Sequence, residues 1–170
     1  MLPDKNVYLI GFMGTGKTVA GKLLADRLGR SFVEMDEEIE RREGKKIVDI
    51  FSQRGEDYFR KVEKLVLKEI AGKNNLVVSC GGGVVIDPEN LKILKETGIV
   101  VRLDADCGVI YERTKKHTHR PLLNVADPQA KIKEILDKRE RFYRQAHHSI
   151  DTSFIPVNRV VEKIVEILEK

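Results

Sequence analysis

The chain has 170 residues, of which 41% are hydrophobic and 34% charged, the balance of an ordinary soluble globular protein long enough to bury a sizeable core as one domain, 1–170. No apolar stretch approaches the ~18 residues that cross a bilayer, and the first strand starts too near Met1 to leave room for a signal peptide, so a cytoplasmic protein without a membrane partner is expected. The net charge of +4 is mild, its basic residues are interleaved with acidic ones as in Glu37-Glu38-Ile39-Glu40-Arg41-Arg42, and no base-stacking aromatic cluster accompanies them, which argues against nucleic acid as a partner.

The apolar run Val7-Tyr8-Leu9-Ile10 opens the chain as a strand over residues 6–11. Directly behind it stands Gly11-Phe12-Met13-Gly14-Thr15-Gly16-Lys17-Thr18, the spacing of a phosphate-binding loop in the order that motif needs: strand, glycine-rich turn, helix. Its glycines allow successive backbone N–H groups to converge on a phosphate, and the helix that begins near Lys17 adds its positive end. Lys17 is placed to reach the β- and γ-phosphates and the Thr18 hydroxyl to ligate Mg²⁺. The expected ATP-binding stretch is Gly14, Thr15, Gly16, Lys17, Thr18 and Val19. The helix over 17–28 carries Val19, Ala20, Leu23, Leu24 and Leu28 at helical spacing, and Gly29 stops it.

A second strand, 31–35, ends in Glu34-Met35-Asp36, with a helix expected over 37–42. Carboxyl ends of parallel strands face the ligand crevice, and residues two apart on a strand can project to one side. Glu34 and Asp36 thus form a coherent pair, one acid near the metal and one near an acceptor hydroxyl; equally, Asp36 could simply cap the next helix. The helix over 56–71 sets Phe59, Val62, Leu65, Val66 and Ile70 on one side. Within it Arg60 either pairs with Glu63 at the surface or aims its planar fork into the crevice to hold a carboxylate.

A third strand, 76–80, leads into Gly81-Gly82-Gly83, whose bare backbone could touch a small ligand or merely turn the chain. Asp87-Pro88 starts another helix, and 98–103 is a buried strand rich in Val and Ile. Residues 115–128 are polar and hold two prolines, reading as a lid that excludes water during phosphoryl transfer. Helices at 129–146 and 157–168 and a strand at 149–152 complete the pattern. His147-His148 would close the first of those helices, and the four histidines lack zinc-like companions. Cys80 and Cys107 read as packing residues rather than a disulfide. Strands alternating with helices predict an α/β fold in three layers, a central five-stranded parallel sheet with helices on both faces.

The order of motifs resembles the shikimate kinases over nearly the whole chain. The phosphate loop, Asp36-x-x-Ile39, Ile47-x-x-Ile50-Phe51, Gly55-Glu56-x-x-Phe59-Arg60-x-x-Glu63, the glycine triplet, Arg120-Pro121-Leu122-Leu123 and the late Arg139-x-x-x-Tyr143 all match that family. The resemblance implies a P-loop kinase fold with a mobile lid at about 115–125 and a substrate-binding segment at about 34–63. It implies shikimate and ATP as small-molecule substrates, Mg²⁺ as cofactor, and a monomer. Asp36 would bind the shikimate hydroxyls and act as base. Arg60 and Arg139 would clamp the carboxylate, with the Gly82 N–H at the ring. Arg120 would stabilise phosphate charge and Arg113 would lie against adenine. The family usually carries Asp where this chain has Glu34, which would then reach the metal through water. A gluconate-type kinase would share the loop and lid but not the paired arginines.

Overall fold

Five strands form one parallel sheet in the order β2-β3-β1-β4-β5. The computed structural model describes residues 4–117 and 123–170. In chain order the elements are β1 (Asn6–Ile10), α1 (Lys17–Leu28), β2 (Ser31–Glu34), α2 (Met35–Glu43), α3 (Ile47–Ala71), β3 (Leu76–Ser79), α4 (Pro88–Thr97), β4 (Gly98–Asp104), α5 (Cys107–Thr114), α6 (Pro128–Tyr143), β5 (His148–Asp151) and α7 (Val157–Leu168). The chain leaves β1 for one edge of the sheet, returns through β3, and crosses β1 to β4 and β5 on the other side. β1 therefore sits at the reversal of strand order, where open parallel sheets bind ligands at their carboxyl ends.

Both faces of the sheet are covered, which explains the nearly uninterrupted apolar strands. Along β1, Tyr8 and Ile10 join Val78, Val100, Met35, Val62 and Leu94 in a core under α2, α3 and α4. Val7 and Leu9 point the other way, to Leu24, Val101, Val161 and Ile164 beneath α1 and α7. A smaller cluster of Phe12, Ala105, Ile110, Ile132 and Ile135 supports the phosphate loop between α5 and α6. At the opposite end of β1 the fully buried Asn6 accepts from the Leu76 N–H (3.0 Å) and donates to the Lys73 carbonyl (2.8 Å) and the Tyr8 hydroxyl (3.1 Å).

Several element boundaries differ from the sequence expectation, each for a local reason. Strand β2 stops at Glu34 and α2 begins at Met35, so Asp36 lies inside the first helical turn, neither on the strand beside Glu34 nor at the cap. Helix α3 starts at Ile47 and is broken at Gly55, whose φ of 82° and ψ of 173° suit glycine alone. Helix α6 ends at Tyr143, and His147 does not close it: its N–H bonds to the Val100 carbonyl and its Nδ1 accepts from the Val100 N–H, leading the chain into β5. On α1 the core side is Ala20, Gly21, Leu24 and Ala25, while Val19 and Leu23 are exposed; at Gly21 a Cβ would strike the Phe32 ring, so the close packing there needs a residue without one. Leu65 is likewise exposed on α3. Among the described residues no helix is long and apolar enough to cross a membrane.

Candidate active site

The loop after β1 has left-handed or strained backbone at Gly11 (φ 143°), Gly14 (φ 79°) and Gly16 (φ 93°), conformations that residues with a Cβ seldom adopt. Gly16 opens α1, placing the helix N-terminus beneath the loop. Lys17 is buried, and its ammonium donates to the Gly11 and Phe12 carbonyls, both at 2.8 Å. The cation thus lies inside the ring of backbone that forms the phosphate cradle. Thr15 braces that ring by donating to the Phe12 carbonyl at 2.8 Å.

Thr18 faces the neighbouring strand end, where its hydroxyl donates to Glu34 Oε2 at 2.6 Å. Burial raises the Glu34 carboxyl above its ordinary 4.5, against opposing hydrogen bonds from Thr18 and Ser79, with the nearby Asp36 charge adding to the rise. Folding therefore raises the proton affinity of Glu34, and its ionised form costs the free protein stability once pH exceeds the unfolded value. We expect Glu34→Gln to melt at a higher temperature than the parent at pH 7.5, with the advantage shrinking on acidification as the parent takes up its proton. A pH-independent difference in melting temperature would contradict this.

The loop after β3 is the neighbour of the phosphate loop, because β1 and β3 pair directly and the Cys80 N–H bonds to the Leu9 carbonyl. Each of its three glycines faces a charged side chain. A Cβ on Gly81 would stand 3.0 Å from Glu63 Oε2 and 3.1 Å from Asp36 Oδ1. One on Gly82 would lie 3.4 Å from Arg139 Nη1, and one on Gly83 would fall 2.7 Å from Arg60 Cζ, inside any permitted contact. The triplet is thus the floor on which Asp36, Glu63, Arg60 and Arg139 converge from α2, α3 and α6. A plain flexible turn would not require that convergence.

Arg60 does pair with Glu63, Nη1 to Oε1 at 2.8 Å, but not at the surface: the Glu63 side chain is 1% exposed. Glu56 takes the other guanidinium nitrogen at 3.2 Å. Burial pushes the Glu63 carboxyl up, opposed by the Arg60 cation and more weakly by Arg139. Arg139 is buried as well, and Tyr143, one turn along α6, hydrogen-bonds to it and donates its O–H to the Gly82 carbonyl at 2.6 Å. Sequence reasoning missed Glu63 as a site residue, treating it only as the partner of Arg60. Its signal was present: Phe59, Glu63, Val66 and Ile70 form one helical stripe, and a carboxylate among apolar residues on a buried face needs a partner there.

Arg113 donates to the Gly14 carbonyl (3.1 Å), the Thr152 hydroxyl (3.2 Å) and the Thr152 carbonyl (2.8 Å). The single proton of the Thr152 hydroxyl is in reach of both the Thr15 and Asp104 carbonyls, at 2.9 and 3.0 Å. Arg113 therefore ties the phosphate loop to the segment after β5, with Thr152 a bridge that the sequence did not single out. Val19, 57% exposed, stands in the first turn of α1 facing outward. Arg120 and the centre of the expected lid at 115–125 lie outside the described residues. Cys80 is fully buried beneath the site, where desolvation pushes its thiol up and leaves it unreactive. Among the described residues no group of three acidic, His or Cys side chains could hold a metal unaided.

With a phosphate loop at the switch point of a five-stranded parallel sheet, this protein is of the P-loop kinase class. The family model described as shikimate kinase matches residues 13–169. A shikimate kinase of Pelotomaculum thermopropionicum is 46% identical over 166 residues, covering 98% of this chain and 96% of the relative, and one of Thermodesulfovibrio yellowstonii is 48% identical with the same coverage. The solved shikimate kinase of Acinetobacter baumannii in complex with shikimate superimposes with a TM-score of 0.94 at 39% identity, covering 97% of this chain and 93% of that one. The chain belongs to the shikimate kinase family.

Proposed function

We propose that this chain transfers the γ-phosphoryl group of ATP to the 3-hydroxyl of shikimate, releasing ADP and 3-phosphoshikimate for aromatic amino-acid biosynthesis. The observation that carries this reading is the meeting of the Asp36 carboxylate and two guanidinium groups, Arg60, itself paired with the buried Glu63, and Arg139, over three consecutive glycines beside the phosphate loop. An acceptor bearing one carboxylate and a row of hydroxyls meets each of those groups with its complement.

Phosphoryl transfer asks the protein for alignment and charge neutralisation rather than covalent chemistry. The N–H groups of Gly14, Thr15 and Gly16 and the Lys17 ammonium hold the phosphates, with Thr18 and Val19 completing the ATP-binding turn. Arg113 flanks the adenine, and Arg120 of the lid adds charge at the transferring group. Asp36 orients the acceptor hydroxyl and takes its proton. Arg60 and Arg139 hold the carboxylate, and the Gly82 N–H lies at the ring. Mg²⁺ keeps several waters and takes only one or two protein oxygens, a demand that the Thr18 hydroxyl and Glu34, acting through water, suit. When bound it neutralises phosphate charge. A monomer acting on two small-molecule substrates in the cytoplasm completes the reading.

Release of ADP should depend on added shikimate and be indifferent to gluconate; equal response to both would overturn the acceptor. Arg60→Ala should raise the KM for shikimate roughly 10- to 100-fold, the worth of a charged hydrogen-bonded contact, and leave the KM for ATP in place. Gly83→Ala should act similarly, since its methyl group displaces the Arg60 guanidinium. If Arg60→Ala lowers only the melting temperature, the residue is a structural pair for Glu63 and no more.

A further inference from the structure

Arg102 lies within β4 and is 6% exposed, unusual for an arginine. Its Nη1 and Nη2 donate to the two carboxylate oxygens of Glu140 on α6, at 2.9 and 2.7 Å, and Nη2 also donates to Asp104 at 2.9 Å. The guanidinium carbon stands 5.4 Å from the centre of the Tyr143 ring. Glu140 directly follows Arg139, and Tyr143 comes one turn later, so this bridge grips the same stretch of α6 that supplies the proposed carboxylate clamp. Stability is a weak reason for such a pair, because desolvating two charges commonly costs as much as their attraction returns. Direction is a better one. Apolar contacts such as those of Ile132 and Ile135 let a helix roll or slide, whereas a two-pronged fork admits one orientation.

We infer that the Arg102–Glu140 bridge is a positioning device for the acceptor site, fixing the rotation of α6 so that Arg139 stays against Gly82 and Tyr143 stays bonded to the Gly82 carbonyl. The inference rests on the proposed role of Arg139 as a clamp. The bridge touches no reacting group itself; it acts through the helix. Hydrogen bonding to Arg102 holds the Glu140 carboxyl below the usual carboxylate range, so the bridge is intact at neutral pH.

The test uses the full chain, with KM for shikimate, KM for ATP, kcat and melting temperature measured for Arg102→Met, Glu140→Ala, the double variant and Arg139→Ala. Methionine fills the buried slot without a charge, and the orphaned Glu140 keeps Arg144 as a partner at 3.0 Å. Each single variant should raise the shikimate KM roughly tenfold, as small misplacements of positioning groups do, with the KM for ATP unchanged. The double variant should be no worse than the more affected single one, because one interaction is being removed twice. Arg102→Lys, which keeps the charge but loses the fork, should retain most of the defect. A fall in melting temperature with unaltered shikimate KM would overturn the inference, as would additive effects or full activity with lysine. Should Arg102→Met fail to fold, Glu140→Ala, at a half-exposed position, decides alone. If Arg139→Ala itself leaves shikimate KM unchanged, the clamp has failed rather than the bridge.

Discussion

Asp36→Asn should lower kcat by roughly 10²- to 10⁴-fold, the range that a positioned general base contributes, while ATP binding measured directly stays near that of the parent. The side chain keeps its shape and one acceptor oxygen but loses both its charge and its capacity to take a proton. The structure sharpens this expectation. Asp36 stands in the first turn of α2 rather than at its cap, with Glu34 as the capping residue making no side-chain bond there, so loss of the carboxylate removes no helix cap. Its Oδ1 lies over Gly81 beside Glu63, at the proposed acceptor site. A melting temperature close to the parent's with collapsed turnover is the expected pair of results. Unchanged kcat would demote Asp36 to a residue that merely favours the positive end of α2.

Lys17→Ala should cost at least 10²- to 10³-fold in kcat, as removal of a preorganised donor to developing negative charge does, and should weaken ATP binding as well. The ammonium donates to the Gly11 and Phe12 carbonyls from within the loop, so alanine removes both the charge proposed to meet the phosphates and an internal brace of the loop. Arg113, which holds the Gly14 carbonyl, would still tether the far side of the loop. Near-normal turnover in Lys17→Ala would remove the basis for assigning phosphate chemistry to this loop.

The parallel sheet and its flanking helices were legible because β1, β3 and β4 are apolar on both sides, a pattern that only double covering produces. The phosphate loop was legible because its glycines, lysine and threonine recur at fixed spacing for backbone reasons. Side-chain burial was harder. Val19, Leu23 and Leu65 satisfy helical spacing yet face outward, because spacing gives a face and not its width. Asp36 was read either as paired with Glu34 at the strand end or as the cap of the next helix, and it lies instead inside the first turn of α2, since single-residue boundaries depend on tertiary contacts. Glu63 was undervalued because an arginine and glutamate three apart on a helix look alike whether solvated or buried. The Arg102–Glu140 bridge joins residues 38 apart in the chain, a separation that no local pattern encodes.

A central strand that is equally greasy above and below has no preferred slip by polarity, since shifting it one residue exchanges Val and Leu for Tyr and Ile and leaves both layers apolar. Asn6 supplies what the oily side chains cannot. Its amide is threaded into the Leu76 N–H and the Lys73 carbonyl, with the Tyr8 hydroxyl of its own strand as a third partner, and a displaced strand would break the first two. One step of slippage would carry the phosphate cradle about 3.3 Å along the strand axis, more than the length of a hydrogen bond. Accuracy at the catalytic end of β1 is thus anchored by a carboxamide at its opposite end.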